Sequence, residues 1–498
     1  MLGNHPLAED LIKQYKKRHC VVDFCKEVTT QDICINNYDE LCLLTSISDD
    51  YKEEVDNKMI SLIPQLAEKY DMEQHQGKKL LCHLLVQSQK TLRMFQTTDF
   101  CEAIRQKIDV YPFTMDEVWS RSVVLDYEPI TMQSEKHVHL VVFGMDEMAR
   151  MVAIQAAHIA HYPNYVKNHL LRTRITMIAS QAEDKCRSFI KEYQHLFDNS
   201  YYRIVNFSEE KAVVVFHKPM YEGLREDFVD VEWEFVEAEA WNAELHGKLK
   251  LWAKDERQLL TIVIANQEGN KNVNDALHLP DVLYQRSVPI YVYSQKEVRL
   301  NNYPNLHVIG MTDRGYNVEL PLVRMAKNVN YIYDRCFEDN DKNWSGQMFY
   351  TVEIDREERD RSWAKLKNVK RTSSVFNAMT IPTKMRSVGM EENDWSHFYD
   401  ITQQDIEMLA QVEHNRWSVE ELILGFRPTT DKEDNIIAAD VKTQKDSFKA
   451  RGIHYDLRAY NELRPDGTGK PVQVYDLCLS SCLPLIAKSF AEEEGGDT

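Results

Sequence analysis

Glu413, Arg416 and Glu420 recur three and four residues apart, so on a helix two carboxylates and a guanidinium share one face, with the indole of Trp417 beside them. Arg offers a planar fork of donors and Trp a flat stacking surface, which is what a charged, ring-bearing ligand such as a nucleotide requires. The same spacing also lets the charges pair with one another while Trp417 anchors a core. Thr402 with Asp405 three residues later reads as an N-cap and its return partner, and Gly425 as a C-terminal stop, so one helix of several turns carries the cluster.

Signals for catalysis are sparse. The chain has no G-x-S-x-G elbow, no H-E-x-x-H and no phosphate-loop glycine-lysine pattern. What remains for an enzyme is Glu413 or Glu420 serving as acid or base on a nucleotide. His158 and His161 lie three apart on a helix, as two metal ligands could, but no carboxylate is identifiable to support them, and a packed or solvated pair is the expectation.

These groups must be positioned by a chain of 498 residues, 43% hydrophobic, enough for about three domains. A formal charge of -19 repels nucleic-acid backbones, so no nucleic-acid partner is expected and any anionic ligand must meet a local basic pocket. The ten cysteines lack metal-type pairing (Cys478 and Cys482 have no matching pair), which fits reduced thiols in a cytoplasmic compartment. No apolar run approaches the roughly 20 residues of a membrane-spanning helix. The opening is unusual: Met1-Leu2-Gly3-Asn4-His5-Pro6-Leu7 runs directly into an amphipathic helix bearing Leu11, Ile12 and Tyr15, where an α/β unit has a full first strand. Either the strand is shortened or the protein extends further toward its N-terminus, with membrane association if membrane segments lie there.

Short apolar runs then alternate with helical stretches. Cys20 to Phe24, Leu41 to Leu44 and Leu80 to Val86 read as buried strands, with Lys52 to Tyr70 helical between them. A second copy follows: strand His137 to Phe143, helix Glu147 to His161, strand Arg174 to Ala179, then strands Leu259 to Ala265, Val288 to Tyr293 and Leu306 to Gly310. This rhythm predicts βαβ units and parallel sheets. Asp355 to Lys370 reads as a surface helix, 338–343 as a joint, Asp431 to Val441 as a surface loop and 491–498 as a disordered acidic tail.

Val141-Val142-Phe143-Gly144-Met145-Asp146-Glu147-Met148-Ala149 sits where a dinucleotide fingerprint would. Residues 131 to 335 resemble the TrkA-N Rossmann domains that regulate potassium conductance, with Leu322 to Ala326, Asn330-Tyr331 and Tyr333-Asp334 like their closing helix and a weaker echo in the N-terminal portion. The pattern departs at the cofactor. Asp146 stands at the second glycine of G-x-G-x-x-G, where a carboxylate facing phosphates costs about 1 to 4 kcal/mol, and Ile178-Ala179-Ser180 lacks the acid that grips ribose. Gly144 and Asp146 are therefore a degenerate cofactor turn, and both α/β halves are expected to be structural or dimerising modules.

Glu413-His414-Asn415-Arg416-Trp417, Leu424-Gly425-Phe426, His454 to Leu463 and Tyr475-Asp476 together resemble the ryanodine-receptor-type (RyR) repeat, a small helical module found in calcium-release channels and many bacterial proteins. Phe426 replaces its usual Trp, and Tyr455 and Ala459 its usual prolines. The stretch around Trp363, Arg371, Ser374 and Asn377 is similar to the helix that precedes this module. The resemblance implies binding of an adenine-type nucleotide or ADP-ribose-like signal, with Trp417 stacking and Arg416 and Arg427 on phosphate or ribose. His414, His454, Tyr460 and Tyr475 would orient the ligand, and Glu413 would hold an arginine or accept from base or ribose.

The expected fold is α/β: Rossmann-like parallel-sheet domains over residues 1–130 and 131–336, a mainly helical RyR-type domain over 337–490, and the tail. The expected function is a bacterial, cytoplasmic, homo-oligomeric ligand sensor that reports to a channel or effector by domain rearrangement. A potassium-transport regulator reading NAD(H) or an adenine nucleotide through the Rossmann halves is the alternative, and a nucleotide-processing enzyme the third.

Overall fold

The apolar runs at residues 41–44 and 80–86 form β1 (Glu40–Leu44) and β2 (Leu80–Leu85), and β3 (Ile108–Phe113) joins them in a parallel sheet of order β1-β2-β3. The computed structural model describes all residues except 27–33, 47–50, 208–212, 221–225, 268, 297, 299, 301, 312–314, 339–352, 391–400 and 497–498. The joint expected at 338–343 lies almost wholly outside the described residues.

Leu2 takes the place of a first strand, bridging Leu43 on one side and Cys25 on the other. Gly3 follows with φ +116°, and a Cβ there would fall 1.8 Å from the Leu44 carbonyl oxygen. The strand expected at Cys20 to Phe24 does not form; apart from half-buried Val22 these residues are exposed, Val21 by 93%. Single bridges at Leu2 leave no ladder for them to join.

The second sheet contains β4 (His137–Phe143), β5 (Thr173–Ala179), β6 (Tyr201–Asn206), β7 (Val213–His217), β8 (Val231–Glu237), β9 (Gln258–Ile264), β10 (Ile290–Ser294) and β11 (Leu306–Gly310). Its order is β11-β10-β9-β4-β5-β8-β6-β7, parallel except for the β6-β7 pair. The chain departs from β4 in both directions, so the carboxyl end of β4 is a topological switch point, the place where open α/β sheets bind ligands. The Glu147–Ile159 helix leaves from there, its Met148, Val152 and Ala156 packed on the sheet.

The C-terminal helices share cores with what precedes them. Val419, Leu422 and Ile423 lie in the core of the eight-stranded sheet. The Pro321–Glu338 helix, expected to close the second α/β unit, buries Ala326, Val329 and Ile332 against Ile381, Leu409 and Ile486 of the helical unit. The charged run at 355–370 makes the Arg356–Lys365 helix and opens the Asn368–Ser387 helix. Asp431–Ala439 is a helix and not a loop: Thr430 and Glu433 form a capping box and Ile437 is buried. The final helix, Leu483–Gly496, runs through most of the expected tail, and Glu493 pairs with Arg359.

Among the described residues no single helix is long and apolar enough to cross a membrane; a bent pair, Gln473–Ser481 with Leu483–Ala491, meets that test jointly, and buries Cys478, Leu483 and Ile486 in the helical core. No disulfide joins the cysteines.

Candidate ligand-binding site

Thr402 and Asp405 close the expected capping box on the Gln403–Ile423 helix, and Gly425, at φ +98°, ends it. Gly425 lets the chain turn back so that β12 (Arg427–Pro428) pairs in parallel with β13 (Ile453–His454). This pairing sets Phe426 and His454 beside Trp417. The edge of His454 meets the indole with centroids 4.8 Å apart and an interplanar angle of 78°, and Phe426 approaches His454 at 5.9 Å. His414, one turn before Trp417, lies 5.6 Å from the indole and 5.8 Å from the Tyr460 ring. Trp417, Phe426 and Tyr460 are half-buried, whereas both histidines are buried. Four of the expected residues, His414, Trp417, His454 and Tyr460, thus form one ring-lined face.

Electrostatics differentiate the two histidines. His414 Nε2 donates to the Arg458 carbonyl at 2.8 Å, and Nδ1 faces the Asp476 carboxylate at 3.6 Å. Burial opposes its charged form, yet Asp476 outweighs burial and raises its pKa. His454 is pushed well below the ordinary range by burial, with Lys449 and Lys445 adding to the effect; its Nδ1 accepts from the Asp456 amide. Glu421, one helical turn beyond Trp417, is buried, and its Oε2 has no hydrogen-bond partner among the described residues. Burial raises its pKa to about 7, against the pull of Lys449. The face therefore combines ring surfaces, a carboxyl that changes charge near neutrality, and Lys449 5.7 Å from the Phe426 ring centre.

Glu413, Arg416 and Glu420 are positioned differently. Arg416 is 1% exposed and spans both acids: Nε and Nη2 donate to Glu413 at 2.8–3.0 Å, and Nη1 donates to Glu420 at 2.6 Å. Lys384, from the Asn368–Ser387 helix, donates to the other side of Glu413, and Ser373 to Glu420 at 3.1 Å. Burial works against the Glu413 carboxylate, but Arg416 and Lys384 prevail and bring its pKa down to about 2. This is an internal, charge-balanced network, and Arg416 is too deeply buried to present a donor to solvent. Sequence spacing could not reveal Lys384, whose only signal is a lone cation inside the Phe376 to Met385 stretch of a helix interrupted by Pro382. Arg427 forms a fork with Glu433 at 2.7 and 2.8 Å, and Tyr475 stacks on Tyr333 at 5.2 Å beneath Lys470; neither adds a ring or a charge to the face around Trp417.

The glycine turn after β4 is filled by its own side chain. Gly144 has φ +124°, and a Cβ there would come within 3.0 Å of the Ala149 Cβ. Asp146 does not project toward an open phosphate seat. It caps the Glu147–Ile159 helix, accepting from the Ala149 amide at 3.2 Å with Oδ1 and from the Gln267 amide with Oδ2. A carboxylate thus takes one amide of the first helical turn, the position where a helix N-terminus would meet a phosphate, together with the Gln267 amide from the segment after β9. The first unit repeats the arrangement, with Gly3 at positive φ and, two residues on, His5 Nδ1 accepting from the Leu7 amide at 3.1 Å.

His158 and His161 diverge. His161 pairs with Asp230 at 2.7 Å, the carboxylate that sequence reading did not identify, and with the Ala157 carbonyl, whereas His158 stacks on Phe376. No group of metal-ligating side chains occurs among the described residues. In comparisons with known proteins, no family model, curated protein or solved structure matches this chain.

Proposed function

We propose that this chain is a ligand-sensing regulatory protein with two Rossmann-like units and a C-terminal unit of the RyR type. A nucleotide-derived small molecule would bind on the face formed by His414, Trp417, His454 and Tyr460. The observation that carries this reading is the convergence of those rings beside a buried, unpartnered Glu421 oxygen and Lys449, groups suited to stacking a base and hydrogen-bonding its polar edge. The helix that bears His414 and Trp417 reaches into the core of the eight-stranded sheet through Val419, Leu422 and Ile423, so a ligand that shifts it shifts the arrangement of the units. The report would go to a channel or effector, or to a second copy of the chain.

Titration with ATP, ADP-ribose, cyclic nucleotides and NADH, followed by calorimetry and Trp fluorescence, tests the reading. Binding lost in Trp417→Ala and kept in Asp146→Ala is expected. The reverse pattern, or no binding by any of them, overturns it.

One observation favours a nicotinamide or adenine nucleotide in the second unit, as in a potassium-transport regulator: the strand order changes direction at β4 beside Gly144. Removal of the carboxylate that caps this turn, in Asp146→Gly, would then create measurable NADH affinity. Turnover chemistry gains no support from Glu413 and Glu420, whose carboxylates are buried and bound to Arg416.

A further inference from the structure

A cleft of about 390 Å³ lies where β3, the segment entering the Pro321–Glu338 helix, and the Asn368–Ser387 helix converge. Its size is that of small-molecule sites, and its walls are mostly apolar. We propose that it binds a ring-bearing, mainly apolar small molecule carrying one anionic acceptor group, at a site separate from the face around Trp417.

Three observations support this. First, the ring walls are held from behind. Tyr316 lies flat on Phe113, centroids 3.6 Å apart and planes 12° apart, with its hydroxyl 2.8 Å from His83 Nδ1 and its carbonyl accepting from Gln14. Phe376 is stacked on His158, and the Trp363 indole donates to the Tyr111 hydroxyl at 3.2 Å. A cleft whose walls are already ordered spends little conformational entropy on a flat guest.

Second, the polar groups favour one acceptor. The charged lining residues are Arg121, Arg371 and Glu117. Arg121 is paired with Glu117 at 2.8 Å. Arg371 is anchored by Asp109 at 2.5 Å, which lines a smaller recess, and by the Trp363 carbonyl at 2.8 Å, while its Nε is buried with no hydrogen-bond partner among the described residues. In a chain of net charge -19, two arginines matched by Glu117 and Asp109 make this a locally charge-balanced spot with an unused guanidinium donor.

Third, the walls come from the N-terminal sheet, the segment leaving the eight-stranded sheet, and the helical unit. A guest would touch all three at once, so its affinity depends on their arrangement.

The test uses 8-anilinonaphthalene-1-sulfonate, an aromatic sulfonate, and N-phenyl-1-naphthylamine, its uncharged counterpart, with the full chain. One sulfonate per chain is expected, bound more tightly than the amine. Val375→Trp and Val118→Trp, which add bulk to the cleft from two different helices, should each weaken it at least tenfold, so that one answers if the other misfolds. Arg371→Gln should weaken the sulfonate several-fold and leave the amine unchanged, a split that a merely structural arginine would not produce. Phe216→Ser on exposed β7 and Trp417→Ala should change neither, which keeps this test independent of the nucleotide titration. Sulfonate binding that survives both tryptophan substitutions, disappears in Phe216→Ser, or falls in parallel with the amine in Arg371→Gln overturns the proposal.

Discussion

His158, on the helix that follows β4, lies face to face with Phe376 of the helical unit, ring centroids 3.7 Å apart and planes 9° apart. Burial holds its pKa well below 6.5, and Arg416, His161 and Arg93 also disfavour its charged form, so the junction between the sheet and the C-terminal helices is a neutral ring stack. His454 is depressed in the same way, and His5 is lowered to about 4 and His139 to about 3 by burial. Below pH 6.5 the unfolded chain takes up protons that the folded chain refuses, so stability falls with pH toward the folded values. At pH 5 each such histidine costs roughly 2 kcal/mol relative to pH 7.5. Urea midpoints at the two pH values should differ, and His158→Phe, which preserves the stack, should remove about one histidine's share.

Arg416 is a structural residue on this geometry. Arg416→Gln leaves Glu413 and Glu420 buried without their partner, at an expected cost of about 3 to 5 kcal/mol in denaturant unfolding. A variant that loses nucleotide binding at unchanged stability would contradict the assignment of Arg416 to the interior.

Glu421 has the opposite linkage to the histidines. Its folded pKa, raised by burial to about 7 with Lys449, Glu420, Arg416 and Asp456 around it, exceeds the ordinary 4.5, so an ionisation penalty is present above pH 7 and vanishes as pH falls toward 4.5. Glu421→Gln should stabilise the protein by roughly 3 kcal/mol at pH 8, by under about 1 kcal/mol at pH 5, and by close to nothing only below about pH 4. Thermal melts across that range give the answer.

The two glycine turns predict graded costs. Gly3→Ala places a Cβ 1.8 Å from a backbone oxygen at φ +116° and should cost roughly 2 to 4 kcal/mol; Gly144→Ala, with 3.0 Å to a side-chain carbon, should cost less. Asp146→Ala removes a cap worth about 0.5 to 2 kcal/mol. Calorimetric melting of the three variants should rank them in this way.

Central strands with long apolar stretches, such as Leu140 to Phe143 in β4 and Ile262 to Ile264 in β9, were legible because a parallel strand buried on both faces is mostly apolar on both. β3 was not, since Pro112 argues against a strand and is tolerated here at a sheet edge. β8 hid behind Glu232, Glu234 and Glu237; Glu234 is buried because Arg203 and Lys248 reach it from elsewhere in the chain. Thr430 and Glu433 carry a readable capping box, but the polar, charged run that follows it reads as a loop because its one anchoring residue, Ile437, finds its core only in the folded chain.

The sequence by itself determined the alternation of strands and helices, the start and stop of the Gln403–Ile423 helix, and the positive-φ turn at Gly144, because caps, glycines and buried strands are set by local chemistry. Only the tertiary structure decided that Arg416 faces inward and Trp417 outward. Spacings of three and four are identical on a solvated and a buried face. Which of the two it is depends on Lys384, Ser373, His454 and Tyr460, and folding, not proximity in sequence, brings those residues to the helix.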